Sequence, residues 1–366
     1  MSYQISKKRI RRGLQIFTLV SLGSVVVIFL LTHSHMTTEA LGSIEPLWLL
    51  GAVPFMIFDW LGGGYRLYLF SRVFHPQVLF KTCVKANLAN YFLGSITPSQ
   101  TGGGPAQIYM LYVGGMPAVE ATSASLMSFF STMFLLVAAG AAMFAFRGSL
   151  PFSGGSLGHL FNAGMIFFLA VAVLMIVALL FPGFYRELSR IIVRVISRVR
   201  KKDYLRAGSR AHGAIEAIDR CHRQLIHYVR RHFHIFLAGV LVSTVCFISK
   251  FAVAYMIVRS LGMQASFMEV ALLQMAIILI NYFFPTPGAS GAAELSSAAL
   301  MSSIVSKGLI GFYVILWRLL TTYASVAVGG GVMLHELGKR EKVEVDDTIA
   351  DDVPEPEPEP EAVAAG

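Results

Sequence analysis

Apolar runs of roughly 18 residues or more recur along the chain, each long enough to cross a hydrocarbon core of about 30 Å as a helix. They fall at residues 14–31, 46–70, 118–146, 161–182, 235–258 and 309–335. In a run such as 166–181 every position is apolar, so neither face alternates, and the strand pattern of an outer-membrane barrel is excluded. Two further apolar stretches, 80–116 and 267–306, are interrupted by Pro and Gly. The pattern predicts an all-α, polytopic helical membrane protein of about six full spans plus two re-entrant or broken helix hairpins.

Basic residues then orient these elements. The cluster Lys7, Lys8, Arg9, Arg11 and Arg12 places the N-terminus on the cytosolic side, and Arg72, Lys81 and Lys85 follow the second span on the same side. Counting crossings from there puts the Arg-rich region and the C-terminus in the cytosol, provided each interrupted segment enters and leaves by one face. A multi-pass protein of the cell inner membrane with both termini cytosolic is expected. The parts read as a basic N-terminus (1–13), a first membrane half (14–182, broken motif at 90–107), a basic amphipathic region (183–234), a second membrane half (235–337, broken motif at 281–294) and a tail (338–366). That tail is acidic, rich in Pro-Glu and without hydrophobic period, so disorder is expected.

Composition agrees with lipid as the solvent: 55% hydrophobic and 14% charged residues, with a mean hydropathy of +0.64. The net charge of +9 would suggest nucleic acid in a soluble protein. Here the basic residues flank predicted spans, and residues 186–231 carry 13 basic against four acidic side chains, which points to membrane lipids, anionic ones in particular, and not to nucleic acid. Between 188 and 199 apolar positions recur at helical spacing opposite Arg190, Arg194 and Arg198, as in a helix lying in the headgroup plane. Cys83, Cys221 and Cys246 stand at no metal or redox spacing, and His222, His227, His232 and His234 match no ligand set. No metal and no cofactor are expected; no nucleotide-binding sequence is present either.

The two broken stretches resemble each other. Asn90-Tyr91-Phe92 leads to Thr97-Pro98 with Gly102 five residues after the Thr, and Asn281-Tyr282-Phe283 leads to Thr286-Pro287 with Gly291 at the same distance. By the crossing count the first enters from inside and the second from outside, which makes an inverted repeat. Proline removes a donor and glycine admits unusual dihedrals, so the backbone leaves the helix and must face protein or a wet cavity. Gly102, Gly103 and Gly104, and the stretch from Gly288 to Gly291, are candidate cradles for an anionic headgroup at short-helix N-termini. Gln100 and Gln107 are polar enough to orient a ligand.

Few ionisable residues lie inside apolar elements, and each is a candidate because a lone charge there costs about 2.5–3.5 kcal/mol or more. Glu294 with Arg318 is the expected pair. Asp59, Arg66 and Lys250 are secondary candidates. Asp59 and Arg66 are seven residues apart, too far to pair directly, and Arg66 is expected to snorkel toward the cytosolic interface.

At its two motifs the chain resembles a flippase-like family typified by the transmembrane region of lysylphosphatidylglycerol synthases. Pro285-Thr286-Pro287-Gly288-Ala289-Ser290-Gly291-Ala292-Ala293-Glu294, with Arg318 downstream, carries most of the resemblance, together with Thr97-Pro98 through Gly102-Gly103-Gly104 to Gln107. Where many relatives carry Gly-Glu and Arg near the first motif the charge is missing, and Phe129 and Phe130 stand where an arginine is often found. The resemblance implies transbilayer movement, by flipping or scrambling, of a lipid or lipid-linked anionic molecule. A lipid-synthesis enzyme is an expected partner, and the chain is not expected to be an enzyme. A secondary transporter of a small anion, and a membrane enzyme or accessory subunit acting on lipid-linked sugars, remain as alternatives. Thr97, Pro98, Gln100, Gly102, Gly103, Gly104, Gln107, Thr286, Pro287, Gly288, Gly291, Glu294 and Arg318 are the expected substrate-binding set.

Overall fold

A computed structural model describes residues 45–145 and 204–351, with isolated positions between 15 and 26 and between 162 and 177. The expectations for residues 1–13, 183–203 and 352–366, and for most of the spans at 14–31 and 161–182, lie outside the described residues. All regular structure described is helical. In chain order the helices are α1 (Pro46–Phe74), α2 (Phe80–Ile96), α3 (Gly103–Val113), α4 (Ala118–Ala145), α5 (Tyr204–Arg231), α6 (Phe233–Ser260), α7 (Phe267–Phe283), α8 (Ala292–Met301), α9 (Ile310–Arg318) and α10 (Ala324–Asp351). The chain is an all-α membrane protein. Four of its described helices are long and apolar enough to cross a bilayer: α1, α4, α6 and the continuous run Ile310–Gly338 formed by α9 and α10.

Both interrupted stretches fold as helix, tight turn, helix. The first pairs the 17-residue α2 with the 11-residue α3 through a 3₁₀ turn at Pro98–Gln100. The second pairs the 17-residue α7 with the 10-residue α8 through a 3₁₀ turn at Pro287–Ala289. In each the second helix packs back on the first, making a hairpin, and the two 3₁₀ turns touch. The turns share one backbone path. Two and three residues after the motif threonine the chain enters the left-handed region, at Ser99 (φ 50) and Gln100 (φ 56) in the first and at Gly288 (φ 58) and Ala289 (φ 52) in the second. Three of those four are not glycine, so tertiary contacts hold a conformation that such residues adopt only at a cost.

Two apolar cores form, one around each hairpin. Leu67, Phe70, Ala89, Phe92, Met110 and Leu111 belong to the first, and Ala254, Ile257, Ala276, Leu279, Tyr313 and Val314 to the second. The long helices tie the two together, because α6 lies along α1 and α10 crosses to α2, where Lys85 and Glu336 form an ion pair. Close approach depends on Gly62, Gly63 and Gly64 in α1. A Cβ on Gly62 would meet Cys246 Sγ of α6 at 2.6 Å, and one on Gly64 would meet Val84 Cγ2 of α2 at 2.6 Å. Small residues at such crossings are what association between lipid-solvated helices requires.

The basic helix α5 docks rather than floats. Cys221, Leu225 and Tyr228 recur along one face and are buried, while Arg220, Arg223, Arg230 and Arg231 stay exposed. Tyr228 stacks on Phe74 at 5.4 Å between ring centroids, and Ser123 of α4 donates to Gln224 Oε1 at 2.8 Å. Burial pushes the Cys221 thiol above its ordinary range, partly offset by the hydroxyl of Ser123. At the other end α10 continues to Asp351, so residues 338–351, where composition predicts disorder, are helical. The reason is that a helix already nucleated in the membrane extends cheaply through Lys, Arg and Glu, which are good helix formers.

Two outcomes are expected. Gly64→Ala should destabilise the fold by about 1–3 kcal/mol through overpacking, read as earlier thermal unfolding in detergent, whereas Gly331→Ala, with nothing within 4 Å of the added Cβ, should be neutral or stabilising. Maleimide labelling at pH 8 should modify Cys221 far more slowly than a free cysteine, since the thiolate is the reacting species.

Candidate functional site

Where the hairpin turns meet, a cavity of about 780 Å³ opens between the two cores. Its polar lining follows from helical periodicity. Asp59, Trp60, Gly63 and Arg66 present one face of α1, and Asn87, Asn90, Tyr91 and Gly94 one face of α2. Ser125, Ser128 and Thr132 line it from α4, Lys250 from α6, Asn281 and Tyr282 from α7, and Arg318, Thr321, Thr322 and Ser325 from the last span. Trp60 Nε1 donates to Ser325 Oγ at 2.8 Å, joining α1 to α10 beside the cavity.

Of the residues singled out from the sequence, Gln100, Gly104, Gln107, Gly288, Arg318, Asp59, Arg66 and Lys250 line this cavity. The others build its walls. Pro98 and Pro287 open the two turns. Thr97 Oγ1 accepts from the Gly102 N–H at 2.8 Å and donates to the Leu93 carbonyl at 2.6 Å, closing the first turn onto the end of α2. Thr286 Oγ1 donates to the Ser290 carbonyl at 3.0 Å, and the Gly291 N–H donates to Glu294 Oε2 at 2.7 Å. The glycine cradle needs correcting. A Cβ on Gly102 would meet Thr97 at 2.7 Å and one on Gly103 would overlap Asn90, so these two serve close packing; Gly104 alone of the three faces open space.

Glu294 and Arg318 pair as expected. Arg318 Nε donates to Glu294 Oε1 at 2.8 Å, and the two side chains are 3% and 0% exposed. Three further guanidinium donors go to Thr322 Oγ1, the Gly288 carbonyl and Ser290 Oγ. A π turn, Leu319–Tyr323, follows Arg318 and carries Thr321 and Thr322 into the lining. The arginine thus clamps the second turn, the first turn of α8 and the last span together. Arg318 closes a lock; Glu294 lies behind it, away from the cavity.

Asp59 pairs with Lys250 instead, at 3.5 Å, and also accepts from the Tyr91 hydroxyl at 3.1 Å. Lys250 Nζ lies 5.3 Å from the Tyr91 ring centroid and 5.4 Å from that of Phe247. Arg66 does not reach outward to the interface. It donates to Ser128 Oγ at 3.0 Å, Thr132 Oγ1 at 2.7 Å and Ser243 Oγ at 3.0 Å, and has no acidic partner among the described residues. A helix cannot snorkel a guanidinium that three neighbouring hydroxyls hold inside.

Sequence reasoning passed over Asn90, Tyr91, Asn281 and Tyr282 as site residues although it used them to match the two motifs; that likeness was the signal. Ser125, Ser128 and Thr132 were also missed. Their signal is a hydroxyl stripe at i, i+3 and i+7 along one face of the helix.

Glu294→Gln should cost about 3–5 kcal/mol, because it strands a buried guanidinium. The double change Glu294→Gln with Arg318→Met should recover part of that loss, with thermal unfolding of the purified protein as the measurement.

Over 337 residues the chain is 27% identical to a "UPF0104 membrane protein" of Archaeoglobus fulgidus, an alignment covering 89% of this chain and 98% of that protein. A family model described as the lysylphosphatidylglycerol synthase TM region matches residues 14–329, spanning both hairpins and every residue of the cavity lining. The chain belongs to that family of membrane proteins.

Proposed function

We propose that the chain moves a lipid, or a lipid-linked anionic molecule, between bilayer leaflets, with the headgroup passing through the cavity between the hairpin turns. One observation carries the reading: the cavity is polar and lined by three cationic side chains, Arg66, Lys250 and Arg318, against one lining carboxylate, Asp59, while Glu294 behind the lining neutralises Arg318. Among the described residues one cation is left over, in a protein whose surroundings are hydrocarbon. Such a surplus is costly unless an anion visits it.

Several features support a carrier. The paired broken hairpins match the arrangement in which oppositely inserted elements place a substrate site near the bilayer midplane, and we read them as an inverted repeat in a cell inner membrane with both termini cytosolic. Exposed apolar side chains on α1, among them Ile57, Phe58 and Leu61, offer a lipid-facing surface along which acyl chains stay outside while the headgroup enters. Each acid is tied to a cation, Asp59 to Lys250 and Glu294 to Arg318, which suits binding better than proton transfer and favours a carrier over a catalyst. The left-handed Ser99 and Gln100 of the first turn, which no ion pair bolts down among the described residues, mark where the cavity wall moves between two arrangements.

The test is leaflet-specific labelling of an anionic lipid in proteoliposomes. Translocation should be several-fold faster with protein than without, and slowed by Arg318→Ala and Glu294→Gln in protein that still inserts. Equal rates with and without protein would defeat the proposal, and uptake of a soluble anion without lipid movement would replace it with a small-anion carrier.

A further inference from the structure

We propose that the first half of the molecule holds the anion, and that it is a phosphate-type oxyanion, the phosphodiester of a lipid headgroup, seated between Arg66, Gln107 and Ser125. The lipid source rests on the carrier function proposed above; the oxyanion site does not.

The two halves are unequal in charge. Glu294 and Arg318 stand eight and 32 residues beyond Thr286, whereas the same distances beyond Thr97 reach Pro105 and Phe129. The first hairpin therefore lacks an internal ion pair of its own. Its guanidinium comes from another helix: Arg66 of α1 lies against Ser128 and Thr132, on either side of Phe129 in α4. Arg318 spends four of its five donors, on Glu294, Thr322, Gly288 and Ser290, and its charge is neutralised by Glu294. Arg66 spends Nε and Nη1 on hydroxyls and makes no hydrogen bond from Nη2 among the described residues. A guanidinium carries five N–H donors in a planar fork, so an edge of this one remains to bind an anion.

Two more donors share the cavity. Gln107 is 3% exposed; its Oε1 accepts from Asn90 Nδ2 at 3.2 Å, which fixes the amide orientation and leaves Nε2 without a partner. Ser125 is 5% exposed and its Oγ is likewise unpartnered. Both line the same cavity as Arg66, and Ser125 shares the face of α4 that holds Ser128 and Thr132. Unsatisfied buried polar atoms cost free energy and are rare in native proteins; three belong to residues lining this cavity, Asp59 Oδ1, which Lys250 neutralises, and the donors of Gln107 and Ser125, and those two donors beside a guanidinium with no acidic partner among the described residues point to a guest. That guest must be rich in acceptors and negative. A tetrahedral oxyanion accepts hydrogen bonds from several directions at once, as donors from α1, α3 and α4 require, whereas a carboxylate accepts within a single plane. The competing cation, Lys250, is already engaged by Asp59.

The experiment measures binding of dihexanoyl phosphatidylglycerol and of inorganic phosphate to the purified full chain in neutral detergent, with dihexanoyl diacylglycerol as the uncharged control. Expected are saturable binding of the phosphatidylglycerol, none of the control, and a loss of about tenfold or more for Arg66→Gln, the order for removing one charge-assisted contact. Gln107→Glu is the sharper variant. It keeps the Oε1 that Asn90 holds but turns the unpartnered donor into a negative acceptor, so it should lose phosphatidylglycerol binding in protein that stays folded in detergent, whereas a packing role alone would leave the binding of folded protein intact. Should Arg66→Gln fail to fold, Gln107→Glu and Ser125→Ala read the same site. Phosphatidylglycerol binding unaffected by these variants overturns the proposal even where lipid translocation continues. Inorganic phosphate bound as tightly, with the same dependence on Arg66, overturns the lipid source. Binding that depends on Arg66 in a protein that moves no lipid supports the oxyanion site and defeats only the carrier function.

Discussion

A helix broken inside hydrocarbon leaves N–H and C=O groups that nothing outside the protein can satisfy, and the rest of this structure depends on how that demand is met. Alone, neither hairpin could sit in lipid. Packed turn against turn, they shield each other, and the side chains at the breaks take up the freed groups: Thr97 serves Gly102, and Glu294 serves Gly291. The breaks then cost little as structure and create polar surface in the middle of an apolar bundle.

The two halves solve the problem differently. In the second, a buried carboxylate and guanidinium complete each other and bolt three segments together. In the first, a threonine and close-packed glycines close the turn without charge. The cation near that turn belongs to α1, held by hydroxyls that orient it but do not neutralise it. Two similar motifs thus give a single cavity one end closed by an ion pair and one end lined by hydroxyls. Such inequality suits the carrier proposed above, since a cation already compensated at both ends would have no reason to accept a guest.

Much of this was legible in the residues. Helix type, the approximate limits of α1, α4 and α6 and the positions of both breaks follow from apolar run length and from Pro and Gly, because in lipid the hydrogen-bonding requirement leaves helix as the default and marks each exception. Glu294 with Arg318 was legible because few charges are available inside apolar stretches. Individual glycines were not: Gly102, Gly103 and Gly104 look alike in sequence, yet two press against Thr97 and Asn90 and one faces open space. Helical continuation to Asp351 was hidden too, since composition carries no record of a helix already begun upstream.

By itself, then, the sequence determined the solvent, the helical class, the two interruptions and the short roster of intramembrane charges, all of which depend on local composition and on distance along one chain. Only the tertiary structure decided partners: Asp59 with Lys250, Arg66 with the hydroxyls of Ser128, Thr132 and Ser243, and both turns with one cavity. Those choices turn on which helix faces which. Facing is set by shape complementarity between elements separated by dozens or hundreds of residues, such as Gly62 against Cys246, and periodicity along a single helix says only that a face exists, not what it meets.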